Sequence, residues 1–124
     1  MKSTEVMAIN FIDRHRELSE GFGRLRTANP DVMAGFGKMH KAAVADGVLS
    51  AKTKELIALA ISITSHCDGC IAFHTHDAVK AGATRAEVEE AVAVAVLMGG
   101  GPAAVYGSDA LEALDQFSQQ TNGV

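Results

Sequence analysis

The 124-residue sequence predicts an all-α fold, a compact bundle of about six helices forming a single domain over residues 1–124. Three observations lead there. Apolar residues recur at helical spacing through most of the chain. The segments they mark are bracketed by cap and stop residues. The one stretch that reads like a strand has no convincing second strand to pair with.

Met7, Phe11, Leu18, Phe22 and Leu25 set a helical period on the first segment. Asn29-Pro30-Asp31 opens the second, with Asn at the cap, Pro at the first helical position and an acid in the first turn. Val32, Phe36, Met39 and Ala43 share a face, with Met33 and Met39 read as core filling, and Asp46-Gly47 ends the segment. Ser50 caps a third helix from about Lys52 to Ser65. A fourth starts near Cys67 and stops at Ala81-Gly82. Thr84-Arg85-Ala86-Glu87 is a capping box for a fifth. Pro102 starts a sixth that carries Ala110, Leu114 and Phe117, and the polar tail from Ser118 to Val124 is expected to fray. The strand-like run is Ala91 to Leu97, where alanines alternate with β-branched residues; the capping box and Glu89-Glu90 before it favour helix. A helix apolar all round must be covered all round. Six short helices cannot easily enclose one of their own, so neighbouring subunits are expected to help cover it.

The chain is long enough for one core and too short for two ordinary domains. The net charge is −4 with acids dispersed, and no basic stripe suggests a nucleic-acid partner. Met1-Lys2-Ser3-Thr4-Glu5 lacks the positive start and apolar run of a secretory signal. The run Ala91 to Met98 is too short to span a bilayer. A cytoplasmic protein without a membrane partner is expected. In that compartment a Cys-x-x-Cys pair is redox-active or metal-binding more often than structural.

The chemistry concentrates in Cys67-Asp68-Gly69-Cys70 and His74, with Glu55 twelve positions before Cys67. Such a cysteine pair can cycle between dithiol and disulfide, and a nearby base sets the amount of reactive thiolate. Cys70 and His74 are spaced i,i+4 and share a helix face. Glu55, Leu59, Ser62 and His66 form a continuous face on the preceding helix. Packed as a hairpin, the two helices bring these faces together around a small polar pocket. Cys67 then sits at a helix N-terminus, where the dipole favours thiolate. His74 can take the proton of Cys70, and Glu55 can orient His74 directly or through water. Zinc held by Cys67, Cys70, His74 and either His66 or His76 is the rival, but ligands crowded into two helical turns surround a tetrahedral ion poorly. Gly99-Gly100-Gly101 lacks the pattern of a phosphate loop and reads as a helix end before Pro102. Tyr106 reads as packing, and His15 and His40 carry no signal. The expected site has no cofactor and no metal.

Glu55-x11-Cys67-x2-Cys70-x3-His74 resembles the signature of the carboxymuconolactone decarboxylase superfamily, in its alkylhydroperoxidase D-like branch. The tract Met98-Gly99-Gly100-Gly101-Pro102-Ala103 is similar too, and the resemblance spans about Asp31 to Phe117. It implies a small all-α protein assembled as a homotrimer or homohexamer. It also implies a peroxidase of the peroxiredoxin kind acting on small organic hydroperoxides, in which a sulfenic acid is trapped as a Cys67–Cys70 disulfide. By position Glu55 is the base of a proton relay, His74 its intermediate, and Cys67 and Cys70 the redox pair. The position does not say which cysteine attacks. The helix N-terminus favours the thiolate at Cys67 and the i,i+4 histidine favours it at Cys70; Cys70 is taken to attack and Cys67 to resolve. A lipoylated or thioredoxin-like dithiol protein is the implied reductant. Alkylhydroperoxidase D itself carries a histidine where this chain has Gly69; either the relay is shorter here or His66, just outside the pair, substitutes as a supporting residue. The decarboxylase branch typically lacks the cysteines, so a cofactor-free decarboxylase using Glu55 and His74 is the alternative activity, and a zinc-stabilised module the non-enzymatic one.

Overall fold

A computed structural model describes residues 9–122. Among them the chain forms five helices and no strand: α1 Phe11–Ala28, α2 Pro30–Val44, α3 Ala51–Thr64, α4 Asp68–Lys80 and α5 Arg85–Asn122. Met7 lies outside the described residues.

Each start has a local cause. The side chain of Asn10 accepts from the amide of Asp13 at the head of α1, and Ser50 does the same for Thr53 at the head of α3. Pro30 occupies the first turn of α2, although the Asn29 side chain makes no cap bond. The capping box is complete: Glu87 accepts from the Thr84 amide at 2.9 Å, and Thr84 accepts from the Glu87 amide at 3.1 Å. The alternating run 91–97 is helix.

The sequence count of about six differs from the five observed because the expected boundary is one residue wide. Gly100, at φ 70° and ψ −149°, kinks α5 in a region that only glycine tolerates. Pro102, which needs no amide partner in a first turn, lets the helix resume with no loop between. The polar end does not fray at Ser118, since helix continues to Asn122 beyond the buried Phe117. By length and composition alone residues 85–120 would pass as a membrane-crossing helix. The kink divides that stretch, and a stripe of it (Val88, Val92, Ala95, Ala103, Ala110, Leu114) is core.

The core lies between α3, α4 and α5, which pack on one another, with Leu59, Ile63 and Ile71 fully buried among them. α1 lies across α4 and α5 and is pinned by Gln116, which accepts from the Phe11 amide at 2.6 Å and donates to the Ile9 carbonyl at 2.8 Å. α2 packs on α1 and barely on α3, and it buries no residue. Its apolar face is therefore not core in this chain: Val32 is 69 % and Met39 62 % exposed.

Candidate active site

The site is built on the joint between α3 and α4. α3 ends in a left-handed turn, with His66 at φ 58° as its turning residue. The amides of His66 and Cys67 donate to the carbonyls of Ile63 and Ser62, closing that turn. Cys67 at once caps the next helix, its sulfur accepting from the Cys70 amide at 3.1 Å. No loop intervenes, so α3 and α4 are a tight hairpin and their site residues are held at fixed register.

That hairpin brings Glu55 of α3 against His74 of α4. The ring Nδ1 and Glu55 Oε1 are 2.8 Å apart, and Glu55 is only 5 % exposed. With the carboxylate ionised, Nδ1–H donates to it and Nε2 keeps the lone pair. One turn earlier Cys67 and Cys70 are joined as a disulfide. Both cysteines and His74 line one cleft of about 490 Å³, whose walls are mostly apolar: Leu18 and Phe22 of α1, Met33 and Phe36 of α2, Phe73 of α4. Arg14 lines it as well and pairs with Asp68 at 3.4 Å, offsetting an acid that would disfavour a thiolate beside it. The N-terminus of α4 adds positive potential at the sulfurs.

Of the residues singled out in the sequence, Glu55, Cys67, Cys70 and His74 are brought together. His66 is not. Its left-handed backbone turns it off the α3 face, and its exposed ring stacks on Tyr106 with centroids 4.8 Å apart. It does not take the place of a histidine at position 69. Gly69 is buried under α1, where a Cβ would lie 2.6 Å from Leu18 Cδ1, so a histidine there requires Leu18 to move. The zinc set is not assembled either: the two sulfurs are bonded to each other, and His76 Nδ1 lies 2.9 Å from Asp77 Oδ1.

His40, which carried no signal in the sequence, lines the cleft with its ring centroid 6.3 Å from that of His74. Nothing in the sequence joins α2 to α4 at this point; only the tertiary fold does. His15 also gains a setting, packed on His76 and Phe73 with centroids 4.2 and 4.7 Å away. Burial, and then the neighbouring His76, pushes its ring pKa below the ordinary histidine value.

Known proteins share the sequence and the fold that carry this site. Residues 30–113 match the carboxymuconolactone decarboxylase family. An uncharacterised protein of Cupriavidus necator is 42 % identical over 112 residues, 90 % of this chain and 99 % of that one. An uncharacterised protein from the cox locus of Paracoccus denitrificans is 35 % identical over 80 % of this chain and 89 % of its own length. Among solved structures, a carboxymuconolactone decarboxylase family protein of Legionella pneumophila superposes with a TM-score of 0.85 at 42 % identity, covering 87 % of this chain and 96 % of its own. A Thermotoga maritima member of the same family, described as a possible participant in the antioxidative response, superposes at 0.69 with 30 % identity over 73 % of this chain and 94 % of that one. The matched region takes in the whole α3–α4 hairpin and its four site residues, and the chain belongs to the carboxymuconolactone decarboxylase family.

Proposed function

We propose that this chain is a thiol-dependent peroxidase that reduces organic hydroperoxides, of the alkylhydroperoxidase D-like kind. One observation carries the reading: a Cys-x-x-Cys disulfide and a histidine bonded to a buried glutamate meet in a single apolar cleft. The Thermotoga relative's description supports it. In the reduced protein His74 Nε2 takes the Cys70 proton while Glu55 holds the ring and balances its charge. The Cys70 thiolate attacks the terminal peroxide oxygen, the O–O bond breaks, and the alkoxide leaves as alcohol with the proton from His74. Cys67 then attacks the Cys70 sulfenic acid, forming the disulfide and releasing water. A dithiol protein, lipoylated or thioredoxin-like, returns two electrons and two protons by exchange through a mixed disulfide. The exposed apolar side chains of α2, α3 and α5 support self-association as a homotrimer or homohexamer, and a reducing cytoplasmic setting suits such a cycle.

Intact mass of the reduced protein before and after one equivalent of organic hydroperoxide, with alkylation of remaining thiols, tests the reading. Loss of both alkylatable thiols without added oxygen is expected. Cys70→Ser should abolish peroxide consumption, and Cys67→Ser should leave a sulfenic acid that a dimedone probe traps. Two thiols that still alkylate would sink the peroxidase reading and favour decarboxylation by Glu55 and His74.

A further inference from the structure

His40 of α2, which lines the cleft, comes together with Glu55 of α3 and Asp77 of α4, each offering a ligand atom within 4.8 Å of the others. The three come from three different helices, so the grouping is a product of the fold and not of local sequence. Glu55 is buried, and Asp77 is under a third exposed. Among the described residues neither carboxylate has a lysine or arginine in its ion pair; each is paired only with a histidine. Two carboxylates this close, one of them largely out of water, gain from a cation held between them beyond what their histidine partners supply.

The surroundings resemble those of a ligand shell. Nδ1 of His74 holds Glu55 Oε1 at 2.8 Å, and Nδ1 of His76 holds Asp77 Oδ1 at 2.9 Å. Each acid therefore has one oxygen fixed by an imidazole and, among the described residues, no hydrogen bond to the other, the kind of outer support that ligating carboxylates require. One imidazole nitrogen and two carboxylate oxygens suit a first-row divalent cation that accepts mixed nitrogen and oxygen ligands, such as Mn²⁺, Fe²⁺ or Zn²⁺. Two negative charges balance a dication, and coordination positions remain for water.

We propose that His40, Glu55 and Asp77 form a binding site for a divalent transition-metal ion, distinct from the cysteine pair and using the second oxygen of the glutamate that orients His74. The cysteines take no part, so the site should bind with the disulfide closed.

The test is titration of the oxidised protein with MnCl₂, followed by the electron paramagnetic resonance signal of free Mn²⁺, and then with ZnCl₂ by calorimetry. Keeping the disulfide closed removes the thiols as competing ligands. One ion per chain is expected. Asp77→Asn and His40→Ala should each weaken binding at least about tenfold, whereas His66→Ala, on the far side of the turn, should leave it unchanged. Thermal melts followed by circular dichroism check that the variants fold. Absence of saturable binding by the wild-type protein would overturn the proposal, because the histidines alone would then be offsetting the two acids. So would equal binding by wild type, Asp77→Asn and His40→Ala.

Discussion

With Nδ1 of His74 bound to Glu55, the ring has one basic nitrogen and one orientation. Glu55→Gln keeps the shape and removes the charge. The amide can still accept from Nδ1–H, but it no longer stabilises a protonated ring. Disulfide formation under organic hydroperoxide should therefore slow by about tenfold or more, because the imidazole loses the charge that favours its protonated form in proton transfer, with the melting curve close to wild type. Stopped-flow measurement of hydroperoxide consumption reads the effect; an unchanged rate would remove Glu55 from the relay. This pair was legible in the sequence because i,i+4 and i,i+7 spacings define helix faces, and a short joint forces two consecutive helices to meet. His66 misled for a physical reason: it was assigned to the α3 face by periodicity, but a helix end needs a left-handed residue and His66 supplies it. His40 and Asp77 were illegible, since periodicity reports on one element at a time and their proximity belongs to three.

At the scale of elements, the Ser50 cap and the Thr84–Glu87 capping box are legible because each is a local bond between near neighbours in sequence, whereas Asn29 heads α2 without a side-chain cap bond. The capping box also has a pH signature. The Glu87 carboxyl is held below its ordinary value of 4.5, chiefly by the Thr84 amide and then by Lys52. A carboxylate whose folded-state pKa is depressed adds stability above its ordinary value and loses it as pH falls through the folded one. Urea midpoints of wild type and Glu87→Gln should therefore differ at neutral pH, wild type being higher, and converge as pH falls through the depressed folded-state value of Glu87. The glycine tract was read as a helix end and turn; the structure makes it a kink with no loop. At Gly100 the backbone conformation is closed to other residues, so Gly100→Ala should destabilise the fold by about 1–3 kcal/mol, measured by the same urea unfolding. An unchanged midpoint would mean that the kink relaxes at no cost.

For the whole molecule, the sequence established that α2 and α5 are apolar but not what covers them. Periodicity gives the direction of a face within a helix and says nothing of its neighbour. In the single chain Leu97 is 79 % and Met98 76 % exposed, and α2 has no buried side chain. Multi-angle light scattering should give a mass three or six times the 12.9 kDa chain, and Leu97→Glu should shift it toward the monomer. A wild-type monomer would leave these side chains without a covering partner and would overturn the assembly.

The two ends of the molecule are unequally tied down. Only Phe11 in α1 and no residue in α2 is buried, whereas α3, α4 and α5 share the core. Gln116 grips the start of α1 through the Ile9 carbonyl and the Phe11 amide, two bonds from one side chain. With so little buried, the first two helices are expected to open at a lower free energy than global unfolding. Their release would strip Leu18, Phe22, Met33 and Phe36 from the disulfide while the Glu55–His74 bond stays closed inside the remaining three helices. Amide hydrogens of α1 and α2 would then exchange ahead of those in α3 and α4, and a bulky protein reductant could reach the sulfurs without the catalytic pair ever coming apart.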